Sequence, residues 1–187
     1  MAFDYPIVLD LDGVAVLVVG GGTVALRKIE GLLAARADIT VVAPSVADAI
    51  RALPVRLVTR AYEPGDLDGV RLVITAADDA AVNAAVAADA RLRGTLVNSA
   101  DDPANCTFTL PAVARDGAVT VAVSTGGASP ALASHLRSEV QRWLIEVGAA
   151  DAARILAEQR ASLKAEGMPT ESVDWTDRVR DALRVRP

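Results

Sequence analysis

Cysteine is almost missing from these 187 residues. The single one, Cys106, excludes an internal disulfide and any zinc cluster built on cysteines. With no obvious ligating partners, it reads as a buried, apolar-like thiol. Histidine also occurs only once, as His135 among Leu132, Leu136 and Arg137, which is the setting of a surface or packing residue. Aromatic residues make up 3% of the chain, so Val, Leu, Ala and Ile must build the core. No apolar run is long enough to span a bilayer. The acidic start, with Asp4, Asp10 and Asp12, does not resemble a signal peptide, so the expected compartment is the cytoplasm. Positive charge is not in excess either: the net charge of −5 argues against nucleic-acid binding. The deficit lies in residues 1–112, with 9 Lys and Arg against 14 Asp and Glu, whereas residues 113–187 carry 10 of each. The second part is therefore the better host for an anionic ligand. With 52% hydrophobic residues the chain is not a disordered one.

What is present is organised around Val14–Ala25. An apolar run, about 14–19, meets Gly20-Gly21-Gly22, and a helical pattern over about 23–35 follows with Leu26, Ile29, Leu32 and Leu33 on one face. Arg27, Lys28 and Glu30 fall off that face. Gly20, Gly22 and Ala25 occupy the places of the G-x-G-x-x-A fingerprint. Gly20 suits a tight turn, and Gly22 lets backbone approach a pyrophosphate. Ala25 lets helix and strand pack closely. The phosphates would meet N–H groups at the helix N-terminus.

Further strands are expected at 39–43, 55–59, 72–76 and 95–98. Ser45 is placed to cap a short helix through about Leu53. Asp78 or Asp79 is placed to cap an alanine-rich helix that Gly94 stops near Arg93. Strands alternating with helices at this spacing make a doubly wound parallel sheet. After Asp101-Asp102-Pro103 the pattern changes. Runs from Phe108 to Val113 and from Val119 to Ser124 flank Asp116-Gly117 as a β-hairpin. Thr125-Gly126-Gly127-Ala128-Ser129-Pro130 then opens a helix to about Ile145, with Ser129 as N-cap and Pro130 at N1. Beyond Gly148 two helices follow, broken at Gly167-Met168-Pro169 and ending in the basic residues Arg184 and Arg186. They are too thinly apolar to form a core alone, so they pack on the rest of the chain or on a second copy.

Several residues admit two readings. Asp101 and Asp102 follow the fifth strand, where the strand ends face a ligand crevice. A carboxylate there can act as general base, or the pair can form an Asp-Pro turn. Asn98 can orient a substrate or satisfy local backbone. Arg115, Arg137, Arg142, Arg154 and Arg160 can receive substrate carboxylates or be solvated helix faces. About 20 residues past the glycines, the usual ribose-binding acid is missing: Ala43-Pro44-Ser45 stands there, which leaves NAD and NADP undistinguished.

Four stretches together resemble the precorrin-2 dehydrogenase family, which forms the N-terminal part of siroheme synthases. They are Val18–Lys28, Ala76–Asp79 with Val82-Asn83, Val97–Pro103, and Ser124–Ala133. The resemblance implies a Rossmann NAD-binding domain (1–112), a dimerisation region of hairpin plus helix (113–146) and a small helical C-terminal region (147–187). It implies NAD as hydride acceptor and oxidation of precorrin-2 to sirohydrochlorin, toward siroheme and in some organisms cobalamin. Some members also insert Fe2+. By the same resemblance Asp101 takes the catalytic place, and Gly20, Gly21, Gly22, Thr23, Val24, Pro44 and Ser45 the NAD-binding places. Asn98, Thr125, Gly126, Gly127 and Ser129 are candidate substrate contacts, no resident metal is expected, and the chain is expected to be a homodimer that binds neither nucleic acid nor membrane. Ser99-Ala100 departs from the usual Val-Val pair, and Thr125 stands where some members carry a phosphorylatable serine. Two further readings are a chelatase with idle NAD and a non-catalytic NAD-sensing module that regulates a partner.

Overall fold

Five apolar runs become one parallel sheet. In the computed structural model, which describes residues 5–183, the strands are β1 (Ala15–Val19), β2 (Asp38–Val42), β3 (Arg56–Val58), β4 (Leu72–Thr75) and β5 (Leu96–Ser99). Their order is β3-β2-β1-β4-β5. Every pairing is parallel, with Val18 beside Val41 on one side and Ile74 on the other. Helices α1 (Thr23–Ala34) and α2 (Asp48–Arg51) return the chain over one face, where Ile29, Leu32 and Ile50 bury against Val16, Val18, Val41 and Ile74. Helix α3 (Ala80–Arg93) covers the other, with Val86, Ala87 and Ala90 on Leu17, Val73 and Val97. The strands are apolar on both faces because both faces are covered. The direction of winding reverses between β1 and β4, and their carboxyl ends part there to open a crevice.

Local differences from the sequence reading have local causes. Ser45 caps nothing: α2 starts only at Asp48, after Ala47. The chain first closes on the glycine loop, with the Ala47 N–H donating to the Gly21 carbonyl at 2.9 Å. Asp79, not Asp78, caps α3 by accepting from the Ala81 N–H at 2.8 Å, and Gly94 stops the helix in the left-handed conformation. On α1 the fully buried residues are Ala25, Ile29 and Leu32, while Leu26 and Leu33 are half-buried. Lys28, expected off the buried face, is half-buried too. Phe108 does not belong to a strand. It packs on the α1-side core, and its carbonyl accepts from the Asn98 amide at 3.1 Å.

The chain divides into two units between Leu110 and Pro111. In the second, β6 (Ala112–Asp116) and β7 (Val119–Val123) form an antiparallel hairpin across Gly117-Ala118. Helix α4 (Pro130–Val147) lies along it, and α5 (Ala149–Ala165) and α6 (Thr176–Ala182) follow. Gln141 of α4 extends the edge of β6, accepting from the Arg115 N–H at 3.0 Å and donating to its carbonyl at 2.7 Å. Asp116 accepts from the Ala150 N–H at 2.9 Å and so caps α5 from a distance in sequence. Ala114, Leu144, Val147 and Ala149 form the centre of this unit's core. Arg184 and Arg186 lie outside the described residues. Among the described residues no helix is long and apolar enough to cross a membrane.

Candidate functional site

A cleft of about 620 Å³ opens at the carboxyl ends of β1, β2 and β4. Its walls are Gly20–Gly22, Val42–Ser45, Ala61, Tyr62 and Ala76–Asp79, with Val82 of α3. The three glycines play different parts there. Gly20 has φ +127°, and a Cβ on it would lie 2.3 Å from the Ala76 carbonyl oxygen. A Cβ on Gly21 would lie 2.0 Å from the Ser45 carbonyl oxygen. Both are thus required by the packing of the loops themselves. A Cβ on Gly22 would meet nothing within 4 Å. The fold makes no use of that space, so it is open to the approach of another molecule.

Gly22 is also the N-cap of α1. No side chain caps the helix and no acid stands in its first turn. Thr23 and Val24, in that turn, present backbone N–H groups at the positive end of the helix dipole. A diphosphate fits this combination of bare backbone, open space and uncapped helix. Among the described residues no Lys, Arg or His lines the cleft. Pro44 and Ser45 form its β2 side, both exposed.

Asn83, part of the family-like stretch at Val82-Asn83, and Tyr62, which the sequence did not single out, shape the other wall. Asn83 is buried on α3 and clamps the β4–α3 loop. It accepts from the Thr75 hydroxyl and from the Ala77 N–H (3.0 Å), and donates to the Ala77 carbonyl (2.8 Å). Tyr62 donates to Asp89 at 3.0 Å, and burial together with that carboxylate pushes its phenol far above the usual range. The tyrosine therefore stays a neutral donor at the cleft wall.

Asp101 stands at the carboxyl end of β5, which β4 separates from β1. It is exposed, with φ +58°, in a conformation that costs a non-glycine residue about 1 kcal/mol or more. It is the third residue of the turn Ser99–Asp102, in which the Asp102 N–H donates to the Ser99 carbonyl at 3.4 Å. Third positions with positive φ normally take Gly or Asn. Lys28 of α1 lies within its field. Burial and Arg27 push the ammonium below its ordinary pKa, and the charges of Asp101 and Cys106 oppose that shift. The cleft walls do not include Asp101.

Asn98 is buried and its amide is engaged by the Phe108 carbonyl, so local satisfaction accounts for it. Cys106 is buried as expected, but it is not an apolar filler: its sulfur accepts from the Ser99 N–H and the Asn98 amide, and its one S–H has the carbonyls of Ser99 and Asp102 within reach. Among the described residues the Ser99 hydroxyl is buried without a partner, a group that an apolar residue there would lack.

In the second unit the loop Thr125–Ser129 is already tied together. The Thr125 hydroxyl bonds both the N–H (3.0 Å) and the carbonyl (3.1 Å) of Ser129. Ser129 caps α4 by accepting from the Leu132 N–H at 3.2 Å. Gly126 (φ +60°) and Gly127 (φ +86°) make the bend, with open space where a Cβ would point. Unlike that of α1, the N-terminus of α4 has a side-chain cap. His135 is exposed, 4.0 Å from Glu139. Arg142 and Arg154 pair with Glu139 and Glu158 on solvated helix faces. Among the described residues there is no group of three or more His, Cys, Asp and Glu that could hold a metal ion.

Comparison with known proteins agrees with this geometry. An NAD(P)-binding family model matches residues 7–112, more than half of the chain. The model of the central region of sirohaem biosynthesis proteins matches residues 116–142. A siroheme synthase from Methylococcus capsulatus is 49% identical over 143 residues, covering 74% of this chain and 30% of that protein. One from Chromobacterium violaceum is 43% identical over 165 residues, covering 86% of this chain and 35% of that protein. The chain thus spans about a third of the length of the curated relatives it matches. The solved structure of SirC, a precorrin-2 dehydrogenase, superposes with a TM-score of 0.71 at 29% identity, over 95% of this chain and 86% of that one. With a glycine-walled cleft at the carboxyl ends of the strands, and with both matched regions in this order, the chain belongs to the NAD(P)-binding family, here joined to a region of the type central to sirohaem biosynthesis proteins.

Proposed function

We propose that this protein oxidises precorrin-2 to sirohydrochlorin with NAD+ in the glycine cleft. The observation that carries the reading is Gly22: an open, uncapped helix start in a family whose structural neighbour is a precorrin-2 dehydrogenase. Bound NAD+ supplies the hydride acceptor. The chain's residues supply the rest. Gly20–Gly22 and the N–H groups of Thr23 and Val24 hold the diphosphate, and Pro44 and Ser45 border the adenosine ribose. Among the described residues no cation lines the cleft, which favours NAD over NADP, because a 2′-phosphate would lack a counter-charge there. Loss of two hydrogens from the substrate sends one out as hydride and one as a proton. Asp101 is the group assigned to receive the proton. It is exposed at a strand end, and its carboxylate makes no hydrogen bond among the described residues.

The test is a comparison of two reactions on the purified chain. Precorrin-2 with NAD+ is expected to give sirohydrochlorin and NADH. If instead Fe2+ enters preformed sirohydrochlorin while precorrin-2 is left unoxidised, the protein is a chelatase. Neither reaction, with NAD still bound, indicates a sensing module.

The working form we propose is a homodimer. Leu132, Leu136 and Trp143 of α4 fall on one stripe and are 48%, 41% and 54% exposed. Light scattering at micromolar concentration is expected to give twice the chain mass, with Leu136→Glu shifting it to a monomer. A monomeric mass for the unmodified chain would reject the dimer.

A further inference from the structure

The turn that carries Asp101 is built around a thiol. Cys106 is 6% exposed, and its Sγ accepts from the Ser99 N–H at 3.1 Å and from the Asn98 amide at 3.6 Å. Its S–H donates to the carbonyl of Ser99 or of Asp102, each 3.3 Å away. These contacts fall on Asn98 and Ser99 at the end of β5 and on Asp102, the residue after Asp101. The loop is anchored at its further end as well. Arg91 of α3 donates to the Ala104 carbonyl at 2.6 Å and to Asn105 Oδ1 at 3.2 Å. Asn105 in turn donates to Asp102 at 2.6 Å. Asp101 itself makes no hydrogen bond among the described residues and holds a positive φ, which is uncommon for a residue other than glycine. What keeps it there is the closure of the turn at Ser99 and Asp102, and the sulfur is the atom common to both.

We propose that Cys106 is a positioning residue of the dehydrogenation: its buried thiol clasps the two ends of the Ser99–Asp102 turn and so aims the Asp101 carboxylate. The proposal rests on the reading of Asp101 as the proton acceptor. It gives a physical reason for a cysteine at a buried site, where Val would fill similar space without bonding. It also makes the thiol's effect specific, because Cys106 is not part of the NAD cleft.

The experiment uses the full chain with Cys106→Val, Cys106→Ala, Cys106→Ser, Asp101→Asn and the Cys106→Val/Asp101→Asn double variant. It reads kcat with precorrin-2 and NAD Kd by calorimetry. Cys106→Val is expected to lower kcat roughly 10–100-fold, the cost of a misaimed group, with NAD Kd within about twofold of the parent. Cys106→Ser, which keeps a donor and an acceptor, is expected to regain part of that loss. In the Asp101→Asn background Cys106→Val is expected to add no further loss, because its effect passes through Asp101. Should Cys106→Val not fold, Cys106→Ala carries the same expectation. Parent-level kcat in a folded Val or Ala variant, beside an impaired Asp101→Asn, overturns the role of Cys106 and leaves the base assignment standing. Additive losses in the double variant, or kcat and NAD affinity falling together, also overturn it. Full turnover by Asp101→Asn overturns the base assignment, and the proposal with it.

Discussion

Asp101→Asn is expected to keep the fold and the nucleotide and to lose turnover by roughly 10²–10⁴-fold, the range of a general acid–base contribution. Asparagine is the right probe because it tolerates positive φ better than other branched side chains, so the turn at φ +58° survives. The replaced carboxylate makes no hydrogen bond among the described residues, and its removal takes only a counter-charge from Lys28. Melting temperature and NAD Kd should therefore stay near those of the parent while kcat falls. Alanine would be a poorer choice, since it mixes loss of the base with relaxation of a turn that disfavours it. Unchanged turnover in the asparagine variant would remove Asp101 from the mechanism.

The second large effect separates neighbouring glycines. Gly21→Ala puts a methyl group 2.0 Å from the Ser45 carbonyl oxygen and 2.9 Å from the Val46 Cα, both rigid backbone. The β2–α2 loop must move, and the Ala47–Gly21 hydrogen bond moves with it. A loss on the order of 2–4 kcal/mol is expected, read by denaturant unfolding. In Gly22→Asp the new Cβ meets no atom within 4 Å, and stability should change by no more than about 0.5 kcal/mol. It places a carboxylate where the diphosphate is to sit, and NAD affinity is expected to fall about 10²-fold, equal to roughly 2.7 kcal/mol. Equal stability losses at the two positions would mean that Gly22 serves the fold. Unaltered NAD affinity in Gly22→Asp would reject the diphosphate assignment.

The sheet was legible because its signals are local. Continuous apolar runs such as Leu72–Thr75 need both faces covered, and alternating helices supply the cover. The caps at Asp79 and Ser129 were legible for the same reason, each lying within three residues of the N–H it receives. Features set by residues distant in sequence were not. Ser45 looks like a helix cap, but Gly21, 24 positions earlier, recruits its loop first. Phe108 looks like the start of a strand, yet Asn98 and the α1-side core hold it in the first unit. Lys28 looks solvated on a helical wheel, and only the folded chain sets it half-buried near Asp101. At the site, the glycine fingerprint could be read as a motif, but it assigned Gly21 no steric duty. The thiol of Cys106 showed in the sequence only as a rarity, because its role depends on backbone atoms of a turn seven residues away.

The most direct measurement mixes the purified chain with NAD+ and precorrin-2 and follows NADH and sirohydrochlorin together in one cuvette. The structure predicts that they appear at the same rate and in equal amounts, and that both are lost in Gly22→Asp at limiting NAD+. Sirohydrochlorin forming without NADH, or neither forming while NAD+ remains bound, would contradict hydride transfer to a dinucleotide held on the Gly20–Gly22 loop.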